Sequence, residues 1–408
     1  MPDHNLIVIG GGAAGFFGAI TAAEHGLRNI LILEKSRDIL TKVRISGGGR
    51  CNVTHDCPEP RELVKNYPRG HRSLHGPFSR FNATDTIAWF QQNGVTLHTE
   101  SDGRMFPTTN NSETIIKCLT DTARSHRISW QTRHGVTGIE PIDNHYAVHT
   151  SEGHILTTKK ILVATGGLRS AESRLAAREA EHHFNDPVAS LFTFHIDDEN
   201  LTNLSGLSVP NASAQTTKIT TTGPILVTHW GLSGPAILKL SAWAARELAA
   251  TNYHFPLTIN WTNTLNPDQT RQLLLTEKST HPTRQIHKRS LLPDLPQRLW
   301  SYLCTKSQIP PDLTYANLSK SQLNTLTTHL TACPFQVTGK STNKDEFVTC
   351  GGVQLKDLDL KTMASKTHPG IHFAGEVLDI DGITGGFNFQ AAWTTAHLAG
   401  TAIANPQK

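Results

Sequence analysis

Four residues near the start of the chain have the types and spacing that bind a dinucleotide. Gly10, Gly12 and Gly15 follow a short apolar run in a GxGxxG pattern, and Glu34 ends the next apolar run. Gly10 permits a tight turn, Gly12 lets the backbone approach a phosphate, and Gly15 lets the following helix pack on its strand. Glu34 lies where a carboxylate can hold ribose hydroxyls. The pattern predicts a nucleotide site at a helix N-terminus.

A second glycine-rich segment, near the end of the chain, indicates which nucleotide binds. A short apolar strand runs into Gly375, an acid-bearing loop follows, and Gly385 and Gly386 open a helix that we predict over 390–404. A flavin needs such a return of the chain because its ribityl group requires hydroxyl acceptors and a helix N-terminus stabilises negative charge on the reduced ring. An ordinary final strand-helix unit is the alternative. We therefore predict FAD as the cofactor.

The elements that position these residues predict an α/β fold. We expect helices over 85–92 and 112–124, the second with Ser112 as its N-cap, and an antiparallel meander between 128 and 158. A buried strand then ends in the glycine turn 165–167. In flavoproteins of the glutathione-reductase type, the chain re-enters the parallel sheet beside the dinucleotide at such a strand. The prediction is a Rossmann-like FAD-binding domain of that type with an inserted β-barrel-like domain and a small helical lobe.

The domain boundaries follow from changes in composition. We predict a discontinuous FAD-binding domain, 1–190 with 350–408, and an inserted β-rich domain, 191–263 with 333–349, that carries a polar helical lobe at 264–332. Within the β-rich domain, a helix is expected over 236–250. Neither inserted part contains a second GxGxxG, so any NADH or NADPH must visit the flavin transiently as electron donor.

Composition predicts a cytoplasmic enzyme without a metal site. The chain has 408 residues, enough for two or three domains, and its six cysteines lack the spacing of a zinc or CxxC redox site. They are expected to be reduced thiols. The longest apolar stretch, 6–23, lacks a basic leader and is rich in the nucleotide-turn glycines, so we interpret it as neither signal peptide nor membrane span.

Several motifs together resemble one family of flavoproteins. They are GGGAAG at 10–15, KVRISGGGRCNVT at 42–54, GRMFP at 103–107, ATGG at 164–167, THWGLSGP at 228–235 and the segment 375–390, which contains ITGGFNFQ. The chain is similar to the BaiN/YhiN-like flavoproteins, which are also described as aminoacetone-oxidase-like FAD enzymes. The resemblance implies a three-part architecture with noncovalently bound FAD.

The predicted cofactor site draws on both glycine-rich ends of the chain and on the strand ends between them. The predicted cofactor-binding residues are Gly10, Gly12, Ala13, Ala14, Gly15, Glu34, Lys35, Arg44, Gly49, Arg50, Cys51, Asn52, Val136, Thr165, Gly166, Gly167, Gly375, Glu376, Asp379, Gly385, Gly386, Phe387, Asn388 and Gln390. Asp379 and Asp381 could meet ribityl hydroxyls or cap a turn. Arg44 and Arg50 could hold a phosphate, and a structural salt bridge is their alternative role.

The resemblance implies two substrate classes, and basic stretches favour one of them. Family members have been linked to reduction of uracil to dihydrouridine in large-subunit ribosomal RNA and to reduction of unsaturated steroid-like bile-acid intermediates. The stretch 63–84 has no acid and alternates basic residues with rings, as single-stranded RNA recognition requires. The stretch 278–293 also has no acid, and the whole lobe has eight Lys/Arg against four Asp/Glu. Solvated polar faces are the alternative for both stretches.

The basic stretches contain the residues that we predict to contact RNA. In 63–84 the basic groups are Lys65, Arg69, His71, Arg72, His75 and Arg80, and the rings are Tyr67, Phe78 and Phe81. In 278–293 they are Lys278, His281, Arg284, His287, Lys288 and Arg289.

The chemistry of uracil reduction suggests two catalytic residues. Reduction of the C5=C6 bond needs hydride at C6, which a reduced flavin supplies, and an acid that protonates C5. Cys51 is one candidate acid, because a thiol near its ordinary pKa is mostly protonated at pH 7, although nearby Arg44 and Arg50 would favour the thiolate. A small packed residue is its alternative role. His229 is a second candidate acid or a substrate hydrogen-bond donor, and a structural histidine is its alternative.

Three functional hypotheses follow. The first is an FAD-dependent RNA uracil reductase with ribosomal RNA as partner. The second is a reductase or oxidase of a small molecule, such as a steroid-like enone or an amine. The third is a non-enzymatic RNA-binding flavoprotein. The first predicts salt-sensitive RNA binding, and the second predicts turnover without RNA.

Overall fold

A computed structural model describes residues 2–168, 174, 182–341 and 348–405. The chain divides into two units, Met1–Ala189 with Lys344–Lys408 and Ser190–Asn343. The second unit contains both the predicted β-rich insertion and the predicted helical lobe.

Thirteen α-helices occur in the described ranges. In chain order they are α1 Ala13–Glu24, α2 Thr41–Gly49, α3 Pro60–Leu63, α4 His71–Phe78, α5 Ala83–Gln92, α6 Ser112–Ser125, α7 Glu199–Thr202, α8 Pro235–Trp243, α9 Ala245–Ala250, α10 Pro267–Thr280, α11 Gln297–Lys306, α12 Lys320–Thr331 and α13 Phe387–Ala404.

Twenty β-strands occur in the same ranges. They are β1 His4–Ile9, β2 Ile30–Glu34, β3 Thr54–His55, β4 Leu97–Thr99, β5 Arg104–Pro107, β6 Ser129–Thr132, β7 Val136–Ile142, β8 His145–Thr150, β9 Ile155–Val163, β10 Val188–Ser190, β11 Phe194–Ile196, β12 Ser208–Gln215, β13 Thr220–Thr228, β14 Gly231–Ser233, β15 Phe255–Asn260, β16 Cys333–Lys340, β17 Val348–Cys350, β18 Leu358–Asp359, β19 Ala364–Ser365 and β20 Ile371–Phe373.

The first unit is built on a nine-stranded sheet that confirms the predicted Rossmann-like fold. Its parallel core has the order β20-β9-β1-β2-β6, with Ile7 between Ile161 and Leu31. The central strands are continuous apolar runs because parallel strands are covered on both faces. β7, β8 and β9 form the antiparallel meander, and β9 continues into the parallel core. β6 was expected in the meander but pairs parallel with β2.

Helix α1, which follows the first glycine turn, packs closely on the last helix, α13. A Cβ on Gly400 would lie 2.5 Å from the backbone oxygen of Gly18, so the two helices approach to backbone distance there. Gly375 lies at the other end of this contact, where a Cβ would be 2.8 Å from Cβ of Ala14. The two glycine-rich segments of the sequence are thereby brought together.

Two sequence-based helix predictions are wrong in detail. The side chain of Asn111, not Ser112, caps α6 by accepting a hydrogen bond from Glu113 N at 2.9 Å. Ser112 is instead buried and donates to the backbone oxygen of Arg44. The helix expected over 236–250 is two helices, because Ala244 leaves helical geometry with φ −92° and ψ 8°.

The second unit contains a closed six-stranded barrel, as predicted. Its strand order is β11-β14-β13-β12-β15-β16. Alternate residues of β15 and β16, among them Phe255, Leu257 and Val337, are buried, as expected for strands with one inward face. Helices α10, α11 and α12 form the lobe between β15 and β16. Among the described residues, no helix has the length and apolar character needed to span a membrane.

Candidate functional site

The first glycine turn has the shape of a phosphate-binding loop. Gly10 has φ +112°, and a Cβ there would lie 2.3 Å from the backbone oxygen of Ala164. A Cβ on Gly15 would lie 1.9 Å from the backbone oxygen of Gly10, which explains the requirement for glycine in the helix. Gly12, the N-cap of α1, faces open space, because a Cβ there meets nothing within 4 Å. Ala13 and Ala14 supply the first turn of α1. Gly12 is therefore where a pyrophosphate can reach the helix N-terminus.

A cleft beside this turn brings together several predicted cofactor-binding residues. It is lined by Ile9, Gly10, Leu33, Glu34, Lys35, His134, Gly135, Val136 and Thr165. Glu34 is fixed there because its carboxylate accepts hydrogen bonds from Gly11 N at 2.7 Å and Ser36 N at 2.8 Å. Thr165 Oγ1 is buried and has no hydrogen-bond partner among the described residues. The cleft has the carboxylate and the position at the strand ends that an adenosine ribose requires.

The C-terminal segment supplies an unsatisfied acceptor. Asn185 Nδ2 donates to Asp379 Oδ2 at 2.6 Å, while Asp379 Oδ1 is buried without a hydrogen-bond partner in the described part of the chain. A buried carboxylate oxygen without a donor is costly. A ribityl hydroxyl would satisfy it. Asp381, in contrast, is fully buried in an ion pair with Arg69, so the ribityl role predicted for it is not supported.

The SGGGRCN segment forms a glycine loop at the end of α2. Ser46, Gly47 and Gly48 depart from helical geometry, and Gly48 and Gly49 face open space with φ +69° and +81°. In the amide orientation that satisfies both of its ends, Asn52 donates to Thr54 O and accepts from Gly386 N at 3.0 Å. The loop is thereby tied to Gly386, the N-cap of α13.

Two further glycine turns complete this part of the site. Gly166 has φ +73°, and a Cβ on Gly167 would lie 2.1 Å from Thr349 Oγ1. Gly385 has φ +130°, and its backbone oxygen lies within hydrogen-bond distance of His55 Nδ1, at 3.0 Å. These residues, the open Gly12, the cleft at Glu34 and the unsatisfied Asp379 oxygen fit FAD.

Both predicted phosphate-binding arginines are engaged in ion pairs. Arg44 pairs with Glu113. Arg50 pairs with Glu100 at 2.7 Å, donates to Gly47 O and lies 3.9 Å above the ring of Phe106. The structure therefore favours the salt-bridge role over phosphate binding. Arg50 holds the glycine loop against β5.

Four other predicted cofactor residues hold the loops rather than face the site. Asn388 accepts from Gly382 N and donates to Gly382 O. Gln390 is fully buried between Thr54 and Thr394. The ring of Phe387 is buried and stacks on His55, and Glu376 pairs with Lys42 and accepts from Thr349 N. Their positions shape the cofactor loops without leaving these side chains free to bind.

Cys51 is a poor candidate for the general acid. Its side chain is fully buried, and burial raises the pKa of the thiol to about 12, with a hydrogen bond between the thiol and Ser46 opposing the shift. Neither Arg44 nor Arg50 lowers that pKa, and both are held in ion pairs. A fully buried thiol cannot reach a substrate. The packed role is therefore favoured.

His229 lies in the second unit, at the turn between β13 and β14. It is exposed, and the hairpin is fixed by the pairing of Thr228 with Gly231. Its imidazole is accessible to a substrate, as an acid or a hydrogen-bond donor requires.

The predicted RNA-binding role of the rings in 63–84 is wrong. Tyr67 and Phe78 are fully buried and Phe81 is 5% exposed, so none of them can stack on a base. Lys65 pairs with Glu62, and Arg69 pairs with Asp381. Arg80 donates to Lys361 O. His71, Arg72 and His75 remain exposed along α4.

Most basic groups of 278–293 also have partners within the lobe. Lys278 donates to Leu318 O, and His287 Nε2 lies 2.8 Å from Ile309 O. Arg284 and His281 both contact Glu277. Within the described ranges, only Lys288 and Arg289 of this stretch are exposed cations whose side chains form no ion pair. No cluster of three or more metal-ligating side chains occurs among the described residues.

Sequence reasoning missed two residues that shape the site. Glu100 positions Arg50, and Asn185 positions Asp379 from 194 residues away. Neither belongs to a motif. Only the folded contacts reveal them.

Comparison with known proteins identifies the family. The protein-family model described as "HI0933-like protein Rossmann domain" matches residues 4–402 of the chain. The chain is 30% identical over 407 residues to a ribosomal RNA dihydrouridine synthase of Escherichia coli, with 97% of each chain covered. The corresponding protein of Haemophilus influenzae is also 30% identical, over 97% of this chain and 98% of that one. A 3-dehydro-bile acid delta(4,6)-reductase of Clostridium scindens is 25% identical, over 98% and 99%.

Solved structures agree in fold. A flavocytochrome c3 fumarate reductase superposes with a TM-score of 0.53 at 14% identity, over 99% of this chain and 78% of that one. A 3-ketosteroid-delta4-(5alpha)-dehydrogenase from Rhodococcus jostii gives 0.52 at 11% identity, over 99% and 98%. The enzymatic character of the family removes the hypothesis of a non-enzymatic flavoprotein. The chain belongs to the HI0933-like family, which includes the BaiN/YhiN-type flavoproteins, and is an FAD-dependent oxidoreductase.

Proposed function

We propose that this protein reduces uridine to dihydrouridine in large-subunit ribosomal RNA, with NADH or NADPH as a transient electron donor. The observation that carries the proposal is the near-complete alignment with two ribosomal RNA dihydrouridine synthases at 30% identity. The lobe adds exposed cations, Lys288 and Arg289, that a phosphate backbone can contact. An RNA substrate of this kind, with all six cysteines as free thiols, is consistent with a cytoplasmic location.

The residues of the chain have separate tasks in this proposal. When bound, reduced FAD supplies the hydride for C6 of uracil. The open turn at Gly12 and the acceptor at Asp379 hold the cofactor, and Arg50 keeps the glycine loop in place. His229, an exposed imidazole, is proposed to protonate C5.

The decisive experiment uses purified FAD-loaded protein under anaerobic conditions. The protein is reduced and mixed with ribosomal RNA from cells that lack its gene, and dihydrouridine is quantified by nucleoside mass spectrometry. We expect new dihydrouridine in proportion to flavin reoxidation. Reduced protein that forms no dihydrouridine would contradict the proposal.

A small-molecule reductase is the second candidate function. It is favoured by the alignment with the bile-acid reductase, at 25% identity over 98% of this chain. The same anaerobic assay with a steroid enone in place of RNA separates the two functions, since only one substrate should reoxidise the flavin.

Variants of the two candidate acids, His229 and Cys51, distinguish which of them protonates C5. We expect His229→Asn to slow dihydrouridine formation about 100-fold, the lower range of general acid catalysis, with FAD still bound. Cys51→Ala should stay within about threefold of the wild type, because a buried thiol does not meet the substrate. Single-turnover rates from the anaerobic assay measure both. The opposite pattern would restore Cys51 as the acid.

Charge reversal in the lobe tests the proposed contact with phosphates. Lys288→Glu with Arg289→Glu should weaken binding of ribosomal RNA about tenfold or more and reduce the slope of log affinity against log salt by about two. Lys117→Glu with Lys159→Glu is the matched control, since it makes the same charge change at exposed positions of the first unit. Equal slopes of log affinity against log salt for the lobe variant and the wild type would indicate that Lys288 and Arg289 lie on a solvated face that does not contact RNA.

A further inference from the structure

Trp230 presents a large aromatic surface to solvent. Its side chain is 63% exposed, more than any other exposed large hydrophobic residue of the described chain, and Trp243 follows among the tryptophans at 41%. A single exposed apolar residue is ordinary in itself. What distinguishes Trp230 is that its backbone is held by hydrogen bonds and a neighbouring imidazole stacks on its ring.

Contacts from β11 and β13 hold the Trp230 backbone, and His195 of β11 packs on the indole ring. Its ring stacks on the imidazole of His195, with centroids 5.8 Å apart and planes 18° from parallel. The backbone oxygen of Trp230 accepts from Ile196 N at 2.9 Å, and the backbone N–H of Trp230 donates to Thr228 Oγ1 at 3.3 Å. The next residue, Gly231, has φ +139°, and a Cβ there would lie 2.4 Å from Phe194 O. The indole therefore stacks on His195 while most of the residue's surface stays open to a ligand.

The neighbouring side chains indicate the chemistry of that ligand. His229, which precedes Trp230 in the turn, is polar and exposed, and Leu226 is an exposed apolar residue of β13, the strand before the turn. Such a mixed surface suits a flat polar ring better than an apolar peptide. Asp197, exposed directly after Ile196, and Glu199 would repel a phosphate. The surface around Trp230 thus suits a base, while the exposed cations Lys288 and Arg289 of the same unit suit the sugar-phosphate backbone of an RNA.

We propose that Trp230, preorganised by His195, is a stacking platform for an unpaired nucleobase of the RNA substrate. The inference rests on the proposed function and adds to it a binding residue. Stacking on an aromatic side chain accepts any base, because every base has a π-face, and it requires the base to be unpaired. Because stacking on a ring involves no phosphate, it releases no counterion and does not contribute to the salt dependence of binding.

The test compares three variants of the FAD-loaded protein on two RNAs. Trp230→Leu removes the flat ring but keeps an apolar side chain, Trp230→Phe keeps a ring, and Trp243→Leu is the matched control at the other exposed tryptophan of the unit. Affinity is measured by fluorescence anisotropy with a labelled single-stranded oligouridylate and with a labelled RNA duplex, over a range of salt concentrations.

We expect Trp230→Leu to weaken single-stranded binding about tenfold or more and to leave duplex binding and the salt slope unchanged. Trp230→Phe should stay within about threefold of the wild type, and Trp243→Leu should match it. Wild-type affinity of Trp230→Leu for the single strand would overturn the platform, and so would equal losses on both RNAs. Dihydrouridine formation by the wild type would still support the proposed function in either case. A wild-type protein that neither binds nor modifies RNA would overturn both.

Discussion

The Gly12→Val protein is expected to fold and to lose its FAD. A Cβ at Gly12 meets no atom within 4 Å, and its φ of −91° is open to any residue, so valine strains nothing in the protein itself. The isopropyl group instead fills the space through which a pyrophosphate would reach the N-terminus of α1. We expect FAD affinity to fall at least about 100-fold, or about 3 kcal/mol. Flavin released on denaturation of the purified protein measures the loss, and circular dichroism checks the fold.

Gly76→Val is the matched control for this variant. A Cβ on Gly76 would also meet no atom within 4 Å, and its φ is not left-handed, but this glycine lies on the exposed side of α4. This variant should retain stoichiometric FAD. If Gly12→Val also retains it, the pyrophosphate does not bind at the first glycine turn.

The first glycine turn and the parallel sheet could be predicted because their signals are local. The apolar runs of β1, β2 and β9 and the intervening glycines each determine a conformation over a few residues. The sequence predicts β6 in the meander because its alternating pattern does not distinguish an antiparallel partner from the parallel edge position that it takes beside β2.

The rings of 63–84 show how one pattern supports two interpretations. Leu74, Phe78 and Phe81 are spaced four and three residues apart, which is the period of a helix with one buried face. The alternation of basic and aromatic residues predicts an RNA-binding surface, but in the structure it is the amphipathic pattern of α4 and the turn that follows. Helical spacing was the stronger signal.

The partners of the site arginines could not be predicted because they are distant in sequence. Arg50 meets Glu100, 50 residues away, and Arg69 meets Asp381, 312 residues away. Sequence composition counts each arginine as an available positive charge. Only the fold shows that a carboxylate already neutralises it, which is why the basic stretches contribute fewer free cations than their residue counts suggest.

The Arg69→Met protein is expected to be about 3–5 kcal/mol less stable than the wild type. Asp381 is fully buried, and the Arg69 side chain is 17% exposed, so loss of the guanidinium leaves a buried carboxylate without its charged partner. The pair joins the segment before α4 to the loop that carries Asp379, so FAD binding should weaken as well. Urea unfolding at saturating FAD, followed by circular dichroism, measures the free energy of unfolding.

Lys65→Met separates this effect from a general loss of charge in the segment. Lys65 pairs with Glu62, but both side chains are exposed, at 66% and 60%. Water screens such a pair, so its loss should cost at most about 1 kcal/mol. The double variant Arg69→Met with Asp381→Leu should recover part of the lost stability, because no buried charge then remains unpaired. Equal stability of Arg69→Met and Lys65→Met would show that the buried pair does not hold the loop that carries Asp379 in place.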